Sequence, residues 1–81
     1  GSYLIDGSAA IREINKKLSW DLPLEGPVTL NGLILEKIQT IPESNVSINL
    51  NNYLIETVLI KDNMIKFAKI LKLSVSEPKE D

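Results

Sequence analysis

Apolar and polar positions along the chain change rhythm several times, and each change predicts an element. Tyr3-Leu4-Ile5 is a short apolar run stopped by Asp6-Gly7, which predicts a brief strand ending in a turn. From Ala9 to Leu18 the apolar residues Ala10, Ile11, Ile14 and Leu18 recur at helical spacing, opposite Arg12, Glu13, Asn15, Lys16 and Lys17. Ser8 stands where an N-cap is needed. A second helical stripe runs from Leu30 through Leu33, Ile34 and Ile38 to Ile41, with Thr29 as its cap and Pro42 as its stop.

After Glu43-Ser44-Asn45 the period becomes two. Val46, Ile48 and Leu50 alternate with Ser47 and Asn49, Asn51-Asn52 turns the chain, and Tyr53–Ile60 forms the returning arm. Lys61-Asp62-Asn63 makes a second turn, and Met64–Leu73 forms a third strand. Its apolar residues shift phase between Phe67 and Ile70, so a bulge is expected near Ala68-Lys69. The fold class is therefore α+β: a short N-terminal strand, two helices and a three-stranded meander, in a mainly antiparallel sheet. Residues 3–73 form one domain, and the charged, Pro78-containing stretch 74–81 is expected to be a disordered tail.

The connector Ser19–Val28 contains Pro23, Gly26 and Pro27, which suit a change of direction, but also Trp20 and Leu22. Large apolar groups of this kind are expected to fold back onto the core as an anchor. In the middle strand, Leu54, Val58 and Ile60 are assigned to one face and Tyr53, Ile55 and Leu59 to the other. Two helices cover one side of a small sheet, so Tyr53, Ile55 and Leu59 are the candidate interface, and a homodimer or docking onto a neighbouring domain is expected.

Composition narrows the chemistry. With 81 residues there is room for one core, and 43% apolar with 25% charged residues is ordinary globular usage. The net charge of −2 arises in the tail. Dispersed lysines and four aromatic residues argue against nucleic-acid binding. No apolar run approaches the ~20 residues that span a bilayer, and no signal peptide opens the chain, so direct membrane insertion is not expected. There is no His and no Cys, which removes thiolate zinc sites and the commonest general base.

Asp6, Glu25, Glu43 and Glu56 belong to different elements, and no catalytic residues are assigned. Asp62-Asn63 and the group Glu43, Asn45 and Asn49 offer hard oxygen ligands without the spacing of a calcium loop; turn roles explain them. Gly26-Pro27-Val28-Thr29 before Leu30 is the one approximation to a phosphate-binding helix start. Thr29 and Gly32 are thus the candidate cofactor-binding residues, with a cap and close backbone packing as the other reading.

The order and spacing of Asp6-Gly7, Thr29-x-x-Gly32-Leu33-Ile34, Ile41-Pro42 and Tyr53-x-Ile55 with Val58 resemble the CorC/HlyC transporter-associated domain of hemolysin-like, magnesium- and cobalt-efflux-type membrane proteins. The resemblance covers nearly the whole chain. One departure is Asn45, where the family usually has Gly; Asn tolerates a left-handed turn. The resemblance implies a longer parent with a membrane domain, a pair of CBS modules and this domain facing the cytoplasm. It also implies a non-catalytic role in modulating ion transport. The family's fold is similar to a subdomain of FAD-binding oxidases, so FAD or an adenine nucleotide is the alternative ligand.

Overall fold

Two helices lie on one side of a four-stranded antiparallel sheet in the computed structural model, which describes residues 1–73. The expected disordered tail, 74–81, lies outside the described residues. The elements are β1 (Ser2–Asp6), α1 (Ile11–Leu18), α2 (Leu30–Ile38), β2 (Ser47–Leu50), β3 (Tyr53–Lys61) and β4 (Met64–Lys72). Strand order is β1-β4-β3-β2, so the meander forms as expected and the N-terminal strand joins it beside the last strand. Among the described residues no helix is long and apolar enough to cross a membrane.

Both helices are shorter than their apolar stripes predict. Ser8 does not cap α1; its N–H and its hydroxyl both donate to Asp6 Oδ1 at 2.8 Å, closing a turn after β1. Ala10 occupies the N-cap position and has no side chain to bond. The first turn is held instead by the bridge between Ala10 and Thr29, with Ile11 N–H donating to Val28 O at 2.8 Å. The second helix stops at Ile38 because Gln39 turns left-handed (φ 66°) and donates its N–H to Leu35 O at 2.7 Å. Ile41 therefore leaves the stripe and stands 39% exposed.

The core is made by Ile11 and Ile14 from α1, Leu30, Leu33 and Ile34 from α2, and Leu50, Tyr53, Ile55, Ile65, Ala68 and Ile70 from the sheet. Leu22 joins them from the connector at 2% exposure, with Trp20 packed against the cluster, so the anchor forms as expected. Asn15 holds Leu22 at two points, accepting its N–H at 2.9 Å and donating to its carbonyl at 3.0 Å. A side-chain amide here imitates a strand pair and satisfies a loop that enters the core.

Gly7 marks where β1 meets β4. A Cβ there would overlap the Ile65 carbonyl oxygen, so only glycine permits the approach.

The phase change in β4 is real, but its cause lies elsewhere than Ala68-Lys69. Thr57 pairs Ala68 and Leu59 pairs Phe67, which leaves Val58 extra in β3; Ile60 then pairs Ile65, which leaves Lys66 extra in β4. Two opposed irregularities leave two main-chain groups to be satisfied, and asparagines serve both. Asn45 Nδ2 donates to Val58 O at 3.1 Å, and Asn31 Oδ1 accepts Ile65 N–H at 2.7 Å. Asn45 thus serves through its amide rather than through a left-handed backbone, since it is not among the positive-φ residues.

Candidate functional site

The N-terminus of α2 brings Thr29 and Gly32 together as cap and capped residue. Thr29 Oγ1 accepts Gly32 N–H at 3.2 Å. Leu30 N–H goes to Ala9 O at 3.0 Å and Asn31 N–H to Gly7 O at 2.7 Å. A helix start attracts anions through N–H groups without partners, and here the first three are bonded to the chain itself. The space beside Gly32 is also taken: a Cβ there would sit 3.0 Å from Pro27 Cβ. A phosphate at this end would have to displace these contacts.

Asp62 and Asn63, considered as oxygen ligands, have φ of 55° and 61° and form the two-residue turn between β3 and β4. Asn45 is committed to Val58 and, through Oδ1, to the Thr57 hydroxyl at 3.3 Å. Among the described residues no three Asp, Glu, His or Cys side chains converge. Asp6 does the work of a turn, and the two Ser8 hydrogen bonds hold its carboxyl below the usual range, with Lys66 adding to the effect.

The residues assigned to one docking face are divided by the structure. Tyr53 and Ile55 are 1% and 0% exposed beneath the helices, whereas Leu59 is 44% exposed on the opposite side. The extra residue at Val58 reverses the alternation, which a strict period of two cannot register.

Register defines the uncovered face. Ile55, Ala68 and Ile70 are core residues and Ile5 and Ile48 pack against the core, so their neighbours along each strand point away. The open face therefore carries Leu4, Leu54, Leu59, Phe67 and Leu71, with Glu56 directly opposite Lys69 at its centre and the polar Asp6, Ser47 and Asn49 toward its margins. Leu4 is 62% exposed. Leucines and a phenylalanine on the free side of a sheet are what an interaction surface requires.

Two further features escaped the reading by period. Tyr53 donates its hydroxyl to Asp21 Oδ1 at 2.6 Å and accepts Asp21 N–H at 3.0 Å. Burial and the Asp21 contact push the Tyr53 phenol up. Trp20 packs between Tyr53 and Tyr3, tilted to the first and edge-on to the second, with ring centroids at 5.1 and 5.6 Å. Beside β1 runs a groove of about 380 Å³ between the strand and α1, lined by Tyr3, Ile5, Glu13, Ile14, Lys17 and Leu18, among others. The partners of these residues are distant in sequence, and an apolar-polar count carries no distance information.

Comparison with known proteins agrees with the fold. Residues 1–74 match the family model CorC_HlyC, described as a transporter associated domain. The UPF0053 inner membrane protein YfjD of Escherichia coli (strain K12) is 42% identical over 82 residues, 95% of this chain. The chain spans only 17% and 19% of the lengths of the curated relatives it matches. A crystal structure of a conserved protein of unknown function from Haemophilus influenzae Rd KW20 is 45% identical and covers 90% of each chain at a TM-score of 0.84. The CorC_HlyC domain of a Xylella fastidiosa hemolysin, solved in complex with Mg²⁺ and Mn²⁺, is 26% identical at a TM-score of 0.77, covering 91% of this chain and 90% of that one.

Proposed function

The chain belongs to the CorC_HlyC family of transporter-associated domains, and on that footing we infer that it is a non-catalytic module of a longer membrane ion transporter. It modulates divalent cation transport by associating with other domains of its parent or with a second copy. The observation that carries this reading is the open sheet face, where Leu4, Leu54, Leu59, Phe67 and Leu71 stand on the side away from both helices. An antiparallel sheet facing only water alternates to polar residues on that side.

The membrane context is supported by the E. coli relative, named as an inner membrane protein. The choice of divalent cations is supported by the Xylella domain solved with Mg²⁺ and Mn²⁺. The proposed partners are the parent's CBS and membrane domains, at the cytoplasmic face. A chain with no His and no Cys has few means of proton transfer or nucleophilic attack, which supports a role in association.

The test is Mg²⁺ flux through the full-length parent reconstituted in vesicles. Phe67→Glu and Leu59→Glu each place a charge on the open face and are expected to shift the flux about fivefold or more, the size of an ordinary coupling between sites. Unchanged flux with both variants, each still folded, sinks the reading.

A further inference from the structure

We propose that the free edge of β1 pairs with the same edge of a second copy, antiparallel about a two-fold axis at Leu4, with Glu13 of each α1 helix facing Lys17 of the other. The proposal rests on the reading of the chain as an association module and names one partner, the chain itself.

β1 is an outer strand, bonded to β4 on one side only. Gly7 N–H donates to Lys66 O at 2.8 Å in continuation of the β1–β4 register. Antiparallel pairs alternate between hydrogen-bonded and non-bonded. The backbone groups of Tyr3 and Ile5 therefore point to β4, and those of Ser2 and Leu4 point outward, as does the Asp6 N–H; the Asp6 carbonyl already accepts Ala9 N–H at 3.0 Å and has one lone pair left to offer. Natural sheets blunt such edges with short strands, charges, proline or bulges; β1 is short and ends in Asp6, but has no lysine, proline or bulge along it.

A two-fold axis at Leu4 matches outward groups with outward groups: Leu4 meets the partner's Leu4, and Ser2 meets the partner's Asp6. The sheet continues through the seam with its faces preserved, so both α1 helices lie on the same side and flank it. Each α1 runs back along its own β1. It starts just beyond Asp6 and ends near Trp20, whose ring meets Tyr3 edge-on. Glu13 thus lies toward the Asp6 end of the groove and Lys17 toward the Tyr3 end. Rotation exchanges the ends and sets Glu13 beside the partner's Lys17 twice over. Ile14 and Leu18 line the same groove and add apolar contact. A seam of one five-residue strand and one helix flank belongs to the weak, reversible class of interface, and two copies held in one assembly would meet at an effective millimolar concentration.

Sedimentation velocity of this chain over a concentration series tests the pairing. The unchanged chain is expected to pass from monomer to dimer as concentration rises. E13K and K17E each turn two attractive contacts into repulsive ones and are expected to weaken the dimer about tenfold or more; the double variant E13K/K17E restores it to within about threefold. Leu4→Pro removes an outward N–H, which an edge strand tolerates, and is expected to abolish the dimer. A dimer indifferent to all of these variants, or a chain that stays monomeric into the millimolar range, overturns the edge pairing. Either result leaves the open sheet face to be judged by the flux of the Phe67→Glu parent, so the two readings fail separately.

Discussion

Asn31, in the first turn of α2, accepts the main-chain N–H of Ile65 on its side-chain oxygen at 2.7 Å. The bond ties helix to sheet where the extra residue Lys66 disturbs the ladder. Ile65 is buried, so its N–H has no water to turn to. Asn31→Ala is expected to cost about 1–3 kcal/mol, the penalty of a buried donor left unpaired. Asn31→Asp keeps the acceptor and should lose much less. Urea unfolding of the two variants beside the parent checks this.

Gly7→Ala should be as damaging without removing any hydrogen-bonding group. The added methyl overlaps the Ile65 carbonyl, a backbone atom that cannot rotate away. A loss of about 1–3 kcal/mol is expected from overpacking, measured as a lowered thermal midpoint. Because Gly7 also sets the β1–β4 junction, amides of β1 should lose hydrogen-exchange protection first.

Tyr53→Phe removes the two hydrogen bonds to Asp21 while keeping the ring against Trp20. A loss of about 1–3 kcal/mol is expected, at about 0.5–1.5 per bond. The phenol also makes stability depend on alkaline pH. Its folded pKa is raised above the ordinary value of 10.0, so its contribution is full below that value. It is lost as pH rises through the raised folded value. The stability gap between parent and Tyr53→Phe should narrow over that range.

Asp6 works at the acid end. Its folded pKa is lowered from 3.8, chiefly by the Ser8 N–H and then by the Ser8 hydroxyl. A depressed carboxylate stabilises above its unfolded pKa, and that contribution disappears as pH falls through the folded one. Asp6→Asn should therefore differ from the parent at neutral pH and converge with it in acid, as followed by urea unfolding at several pH values.

Periodicity located every element and the layer of helices, because burial of one face is a local property of α1, α2 and the strands. It misjudged ends. Ser8 is a good cap residue, but Asp6 lies two residues away and captures it first. Ile41 continues the α2 stripe in sequence, yet Gln39 had already turned the chain. The candidate face was divided: Leu59 lies on the open side of the sheet, while Tyr53 and Ile55 are buried beneath the helices, because Val58 breaks the alternation that had grouped the three. Asn31 carried no pattern at all, and Asn45 was read as a turn residue rather than as a partner for the main chain. Each answers a main-chain group in β4 or β3, and nothing local announces that need.

Among the described residues, the pairing of β1 with β4 joins the first strand to the last. A chain leaving the ribosome N-terminus first has made both helices and β1 long before residues 64–72 exist to receive them. Until then Ile11, Ile14, Leu30 and Ile34 lack much of the sheet surface they cover in the finished fold. Such contacts, distant in sequence, slow the search for the native state. β4 is therefore the strand that completes this sheet, and truncation within it removes the seat of β1 as well.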